Sequence, residues 1–154
     1  MTPLRTATML QRVGAYVFDT LLITLAVGTV FYLFLGFDQT LAAYMADGDD
    51  GDVRLRFIME RSAIRTVSMV LYLAYATVAE ASSLRGTVGK WLLSLQVVTL
   101  DDQPLDLRTS IVRNAGKLAS LITIIGVLVA LRSPIRQTWH DRWAGTRVVH
   151  VPVP

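Results

Sequence analysis

The sequence predicts an all-α membrane protein with two transmembrane helices, a third spanning or re-entrant helical segment, and a small β element at the cytoplasmic surface. Three observations carry that expectation. First, 53% of the 154 residues are hydrophobic and only 18% are charged, whereas soluble domains carry about 25% charged residues; mean hydropathy is +0.47. Second, two long apolar runs are separated by a polar, aspartate-rich stretch. Third, basic residues flank the apolar runs, which is how helices are oriented in a bilayer. The length argues for one domain over residues 1–154. The chain has no cysteine, which excludes a disulfide framework and a thiolate metal site. The net charge is +3, from 15 basic and 12 acidic residues. With the bases at the ends of apolar runs, that surplus suits lipid headgroups, and no nucleic-acid partner is expected.

The first helix is expected over about residues 10–36. Its apolar stretch exceeds the 7–15 residues of a signal-peptide core and no small-x-small site follows, so it reads as an uncleaved span. Residues 37–56 hold Asp38, Asp47, Asp49, Asp50 and Asp52. The run "DGDDGD" lacks EF-hand spacing and a closing glutamate, so residues 37–56 read as a solvated acidic loop. The second helix is expected over 57–80. Residues 91–105 read as a surface strand and turn, because Leu93, Leu95 and Val97 alternate with Ser94 and Gln96 before "DDQP". "GTVGK" is no phosphate loop: Gly86 and Gly89 are too close, and Trp91 follows Lys90 where Ser or Thr is needed.

Asp106 is placed to cap the next segment, amphipathic then apolar over 107–132. Its uninterrupted apolar part, Leu118 to Leu131, is 14 residues, a length that suits a re-entrant segment as well as a span. With a cytoplasmic N-terminus and the basic tail 133–154 also inside, 11 bases lie inside against 4 outside; with a third complete span the count is 7 against 8. The positive-inside rule favours the first arrangement, bending near Gly126 or Ser133-Pro134. "TRVVHV" is then free to pair with "LSLQVV".

Within these segments a few polar residues stand out. Arg12, Tyr16 and Asp19 share one face of the first helix. A carboxylate inside a span is costly and needs a partner. Arg12 is the nearest by sequence, so Asp19 is either half of a structural ion pair or a site that binds a cation or proton. Arg61 and Arg65 begin a stripe that continues through Ser68, Tyr72 and Tyr75. Arg61 is open between snorkelling and packing, whereas Arg65, deeper in the helix, is expected to be packed. Arg113 and Lys117 precede the last apolar run. His140 and Asp141 are adjacent, with Arg136, Arg142 and Trp143 around them. Imidazole beside a carboxylate is proton-transfer chemistry, but no nucleophile motif stands near. Trp139 and Trp143 suit an interfacial anchor. No metal site, cofactor or enzymatic activity is expected.

Taken together, Arg12 and Asp19 seven apart, then "TVGKWLLSLQVV", "VRN" and "RQTWHDRWAGTRVV" resemble the RDD family of bacterial membrane proteins, over nearly the whole chain. The resemblance implies that Arg12, Asp19 and Asp141 are the naming residues. It makes Thr87, Gly89, Lys90, Gly145 and Thr146 motif positions. The usual D-x-D-G turn is "LDDQP" here, without the glycine. Some members of the family are proposed to exchange sodium or related cations for protons, and others accompany unrelated partners. The resemblance therefore implies a multi-pass protein of the bacterial plasma (inner) membrane. Two functions follow as expectations. One is cation/proton exchange by a homo-oligomer, with Asp19 and Asp141 or His140 binding Na+, another monovalent cation or H+. The other is an accessory or assembly subunit docked on a membrane-protein partner or anionic lipid.

Overall fold

The computed structural model describes residues 5–122 and 137–151. Its elements are β1 (Arg5–Thr6), α1 (Met9–Phe34), α2 (Phe37–Ala46), α3 (Gly51–Ala81), α4 (Val88–Leu92), β2 (Leu95–Thr99), α5 (Leu107–Ile122), α6 (Trp139–Trp143) and β3 (Thr146–His150). The chain is mostly helical. It divides into two compact units, residues 1–19 with 73–154, and residues 20–72.

Two helices, α1 with 26 residues and α3 with 31, are long and apolar enough to cross a membrane. At about 1.5 Å per residue each exceeds the ~30 Å of a hydrocarbon core. Leu10, Leu21, Leu25, Leu33 and Phe34 of α1 are all more than half exposed. Such a display is costly in water and suited to lipid. A third span is not established: the expected bend at Gly126 or Ser133-Pro134 lies outside the described residues.

The unit of residues 20–72 corrects the expected acidic loop. Residues 37–46 are helical, and α3 begins at Gly51 rather than 57. The sequence FDQTLAAYMA is rich in helix formers. Its aromatic residues also find a partner: Phe37 and Tyr44 stack on Phe57 at centroid distances of 6.0 and 4.1 Å. The acidic residues then serve the helix start, where Asp50 Oδ1 accepts the Asp52 and Val53 N–H groups at 2.8 and 3.1 Å.

In the other unit, the expected pairing of the two alternating segments is present. β2 and β3 are antiparallel, with Val97 opposite Val148 and Thr99 opposite Thr146. β1, which is too short to stand out in the sequence, adds to the far edge of β3 in the order β1-β3-β2. Ala7, Leu95, Val97, Leu105 and Val148 form the core beneath this sheet. The strand starts at Leu95 rather than 91, because Val88–Leu92 turn as the short helix α4. The turn after β2 is made without glycine: Asp102 adopts φ +61°, a conformation Asp tolerates better than most residues. Arg147 grips its carboxylate through Nη2 at 2.6 Å to both oxygens. Asp106 caps α5 as expected, accepting the Thr109 N–H at 2.9 Å.

Candidate functional site: a buried charge network and a separate carboxylate

All the charged side chains of the site belong to the unit of residues 1–19 and 73–154. On α1, Arg12, Ala15 and Asp19 form one buried strip, with Tyr16 half-buried beside it. The expected face is real, but its two charges do not pair with each other. Arg12 instead reaches Asp141, with Nη1 2.7 Å from Oδ2. The physical reason lies in distance along the helix. Seven residues are two turns, about 10 Å, whereas Asp141 on α6 lies directly opposite the arginine.

Asp141 is fully buried and serves three elements at once. Oδ2 accepts the Thr138 N–H at 3.1 Å and completes a capping box on α6, while also binding Arg12. Oδ1 takes Arg113 Nε and Nη2 from α5 at 3.0 and 2.9 Å. Burial alone would raise its pKa, but the guanidinium groups of Arg113 and Arg12 hold the carboxyl well below the usual range. His140 is a close neighbour of this carboxylate. Its Nε2 lies 3.8 Å from Asp141 Oδ1 and 2.9 Å from Thr138 Oγ1. Burial pushes its pKa down to about 3, despite the opposing pull of Asp141. Gly116 permits this packing, since a Cβ there would sit 3.0 Å from His140 Cβ.

A second carboxylate, Glu80 near the end of α3, gathers the other cations. It is fully buried. Lys90 Nζ lies 2.5 Å and Lys117 Nζ 3.3 Å from Oε1, and Arg113 Nη1 lies 2.5 Å from Oε2. Asn114 donates to Oε2 at 3.0 Å and accepts from Lys117 at 2.6 Å. Arg113 therefore bridges the two carboxylates. Burial works against its charge, but Glu80 and Asp141 hold its pKa above the ordinary value. Burial lowers the pKa of Lys90 and, with Lys90 and Arg113 nearby, brings Lys117 down to about 7; Glu80 opposes both shifts. Glu80 and Asn114 are the residues that sequence reasoning left out. The available signal was that Glu80 is one of only two glutamates in the chain and follows an apolar run.

Asp19 stands apart from this network. It is 2% exposed. Oδ1 accepts the Gly89 N–H at 2.8 Å, while Oδ2 is buried with no hydrogen-bond partner, and no basic side chain pairs with it among the described residues. The expected partnership with Arg12 or another base is thus replaced by a backbone amide of α4. The approach is close enough to demand glycine: a Cβ at residue 89 would strike Ala15 O and lie 3.0 Å from Asp19 Cγ. One residue before it, Val88 N–H bonds Tyr75 Oη at 2.7 Å.

The remaining motif positions are structural neighbours of these groups. Thr87 and Thr146 are fully buried. Gly145 takes φ +60° at the turn into β3, and Gln137 Nε2 bonds Thr146 O at 2.7 Å. Arg61 and Arg65 belong to the unit of residues 20–72. Both are exposed, and the packed role expected for Arg65 is not found. On α3 the buried strip runs instead through Ile64, Ser68 and Tyr72, with the Ser68 hydroxyl bonded to Ile64 O at 2.8 Å. Trp139 and Trp143 stack with their ring centroids 5.6 Å apart.

The sequence model of the RDD family matches residues 6–145. No curated protein and no solved structure matches the chain.

Proposed function

The chain belongs to the RDD family, and we propose that it exchanges a monovalent cation, such as Na+, for a proton at Asp19. The observation that supports this reading is the state of Asp19: buried in an apolar helix, held by one backbone amide, and paired with no base among the described residues. A carboxylate inside a membrane helix is costly, and such residues mark ion and proton pathways. Competition of a cation and a proton for one carboxylate is the elementary step of exchange. Arg12 and Asp141 hold the surrounding frame together: they bond each other, Asp141 also accepts from Arg113 and Thr138, and Arg12 also donates to Val148 O. On this reading the protein works in a bacterial plasma membrane with a cytoplasmic N-terminus. Two spans enclose no pathway, so it works as a homo-oligomer whose apolar α1 surface meets lipid or a second copy.

The test is proton flux in proteoliposomes carrying a pH-sensitive dye, on addition of Na+, K+ or Li+, for the native chain and Asp19→Asn. Cation-dependent flux that disappears in the variant is the expected result. Silence from correctly inserted native protein overturns exchange and leaves a subunit that docks on another membrane protein or on anionic lipid.

A further inference from the structure

Two helices of the unit of residues 1–19 and 73–154 turn polar residues inward and apolar residues out. On α5, Ser110, Arg113, Asn114 and Lys117 fall at i, i+3, i+4 and i+7, and all four are buried. Leu107, Ile111 and Ala115 form a separate stripe that is exposed, the first two by more than half. α4 repeats the pattern within five residues: Gly89 and Lys90 are buried, while Trp91 and Leu92 are each more than half exposed. A helix on a water-soluble protein is built the other way, with its apolar stripe against the core.

What covers these faces follows from the depth at which they lie. Lys90 of α4 and Lys117 of α5 both reach Glu80 Oε1, and Asn114 of α5 donates to Oε2. Both helices therefore sit within one side chain's length of Glu80, the last residue but one of α3. The 31 residues of α3 measure about 46 Å at 1.5 Å per residue, against ~30 Å of hydrocarbon. A helix of that length crossing a bilayer brings its ends out among the headgroups. The lipid-suited surface extends to the same level, since Val78, two residues before Glu80, is more than half exposed. The side chains around α4 and α5 suit that boundary. Trp91 and Trp143 are both more than half exposed, and tryptophan concentrates where acyl chains meet headgroups. Trp143 packs beside α5, with a ring carbon 3.5 Å from where a Cβ on Gly116 would lie. Arg108, exposed in the first turn of α5, has a stem long enough to carry its charge to the headgroups.

We infer that α4 and α5 are membrane-interface helices, whose exposed faces, led by Trp91 and Leu92 on one and Leu107 and Ile111 on the other, are covered by phospholipid acyl chains. Faces of this kind lie about 5–10 Å into the boundary between headgroups and acyl chains. Their polar residues close over Glu80 from the protein side, so lipid is the solvent that makes a charged interior compatible with an apolar exterior. The inference is independent of exchange at Asp19.

The chain has no cysteine, so one introduced cysteine carries one nitroxide spin label. The labels go on Leu92→Cys, Ile111→Cys and, as a reference on the exposed turn after β2, Asp101→Cys, each in the full chain reconstituted into phosphatidylcholine–phosphatidylglycerol liposomes. Oxygen concentrates among acyl chains, whereas a neutral nickel chelate stays in water. The ratio of oxygen to nickel collisions is expected to be several-fold higher at residues 92 and 111 than at residue 101. Equal ratios at all three positions would put these faces in water and overturn the inference. Protection from both reagents at 92 and 111 would overturn it too, because a second copy or another protein segment would then cover them. If a cysteine variant does not fold, the native tryptophans serve in its place. Phospholipid brominated along its acyl chains is expected to quench their fluorescence, and Trp91→Phe to remove part of the quenched signal; a Trp91 contribution that bromine leaves unquenched refutes lipid contact at α4.

Discussion

Arg12 and Asp141 lie 129 positions apart in sequence and 2.7 Å apart in space, both buried. The contact fastens the start of α1 to a five-residue helix near the other end of the chain. Asp141 does more than Arg12, since it also receives Arg113 and caps α6. Removing one partner of a buried pair costs about 3–5 kcal/mol because the other charge is left uncompensated. Arg12→Ala is therefore expected to destabilise the protein by roughly the lower end of that range. Asp141→Ala is expected to cost more, because two arginines lose their carboxylate and the cap goes with it. Denaturant or thermal unfolding in detergent, with the two variants side by side, checks the order; equal losses would show that Arg113 and the cap contribute nothing.

Glu80 carries the second half of the network. Glu80→Gln keeps the shape and removes the charge, leaving Lys90 and Arg113 without their shared anion. A loss of about 3–5 kcal/mol is expected. Adding Lys90→Met removes one of the stranded cations and is expected to recover part of the loss, so the two substitutions are non-additive. A double-mutant cycle measured by unfolding reads this coupling directly; simple addition of the two losses would refute a direct pair.

The features legible in the sequence were those written in a single segment. The two helices long and apolar enough to cross a membrane follow from apolar length, and the β2–β3 pairing from two short alternating runs with Val97 and Val148 at matching places. The Arg12–Asp19 face follows from helical spacing, and both residues are buried as that face requires. What failed was the choice of partners. Proximity along one helix proposed Arg12 for Asp19, but the partners come from α4 and α6, and nothing in a linear sequence says which later segment returns to α1. Glu80 was passed over because it stands where the apolar run ends, so it read as a boundary. The region 37–46 misled for a different reason: its polar letters suggested a loop, while its alanines and aromatic residues fold it onto Phe57.

Gly89 marks the closest approach in the site, with no room for a methyl group between α4 and the backbone of α1. Gly89→Ala is expected to push α4 away and to lengthen or break the amide bond to Asp19. Overpacking of this kind costs about 1–3 kcal/mol. The cost is expected to extend to function, because the one group that orients Asp19 among the described residues is displaced. Any cation-dependent flux should fall in Gly89→Ala by more than the loss of folded protein explains. Unchanged stability and flux would mean that the α4–α1 contact is looser than the structure has it.

Acid sensitivity follows from His140 and Asp141 with a definite sign. His140 is held at about 3 in the folded protein, against about 6.5 in an unfolded chain. Between those values the unfolded state carries the proton and the folded state does not, so stability falls as pH is lowered. The full effect of one such group is about 1.4 kcal/mol per pH unit. The lowered pKa of Asp141 acts in the same direction but further down: its contribution is present above the unfolded value near 4 and is lost as pH falls through the lower folded value. His140→Gln removes the first contribution and leaves the second. The melting temperature of the native protein is therefore expected to fall steadily from about pH 6.5 to pH 4. That of His140→Gln should stay nearly level over the same interval and fall only below it. Parallel slopes for the two proteins would show that His140 takes up its proton in the folded state.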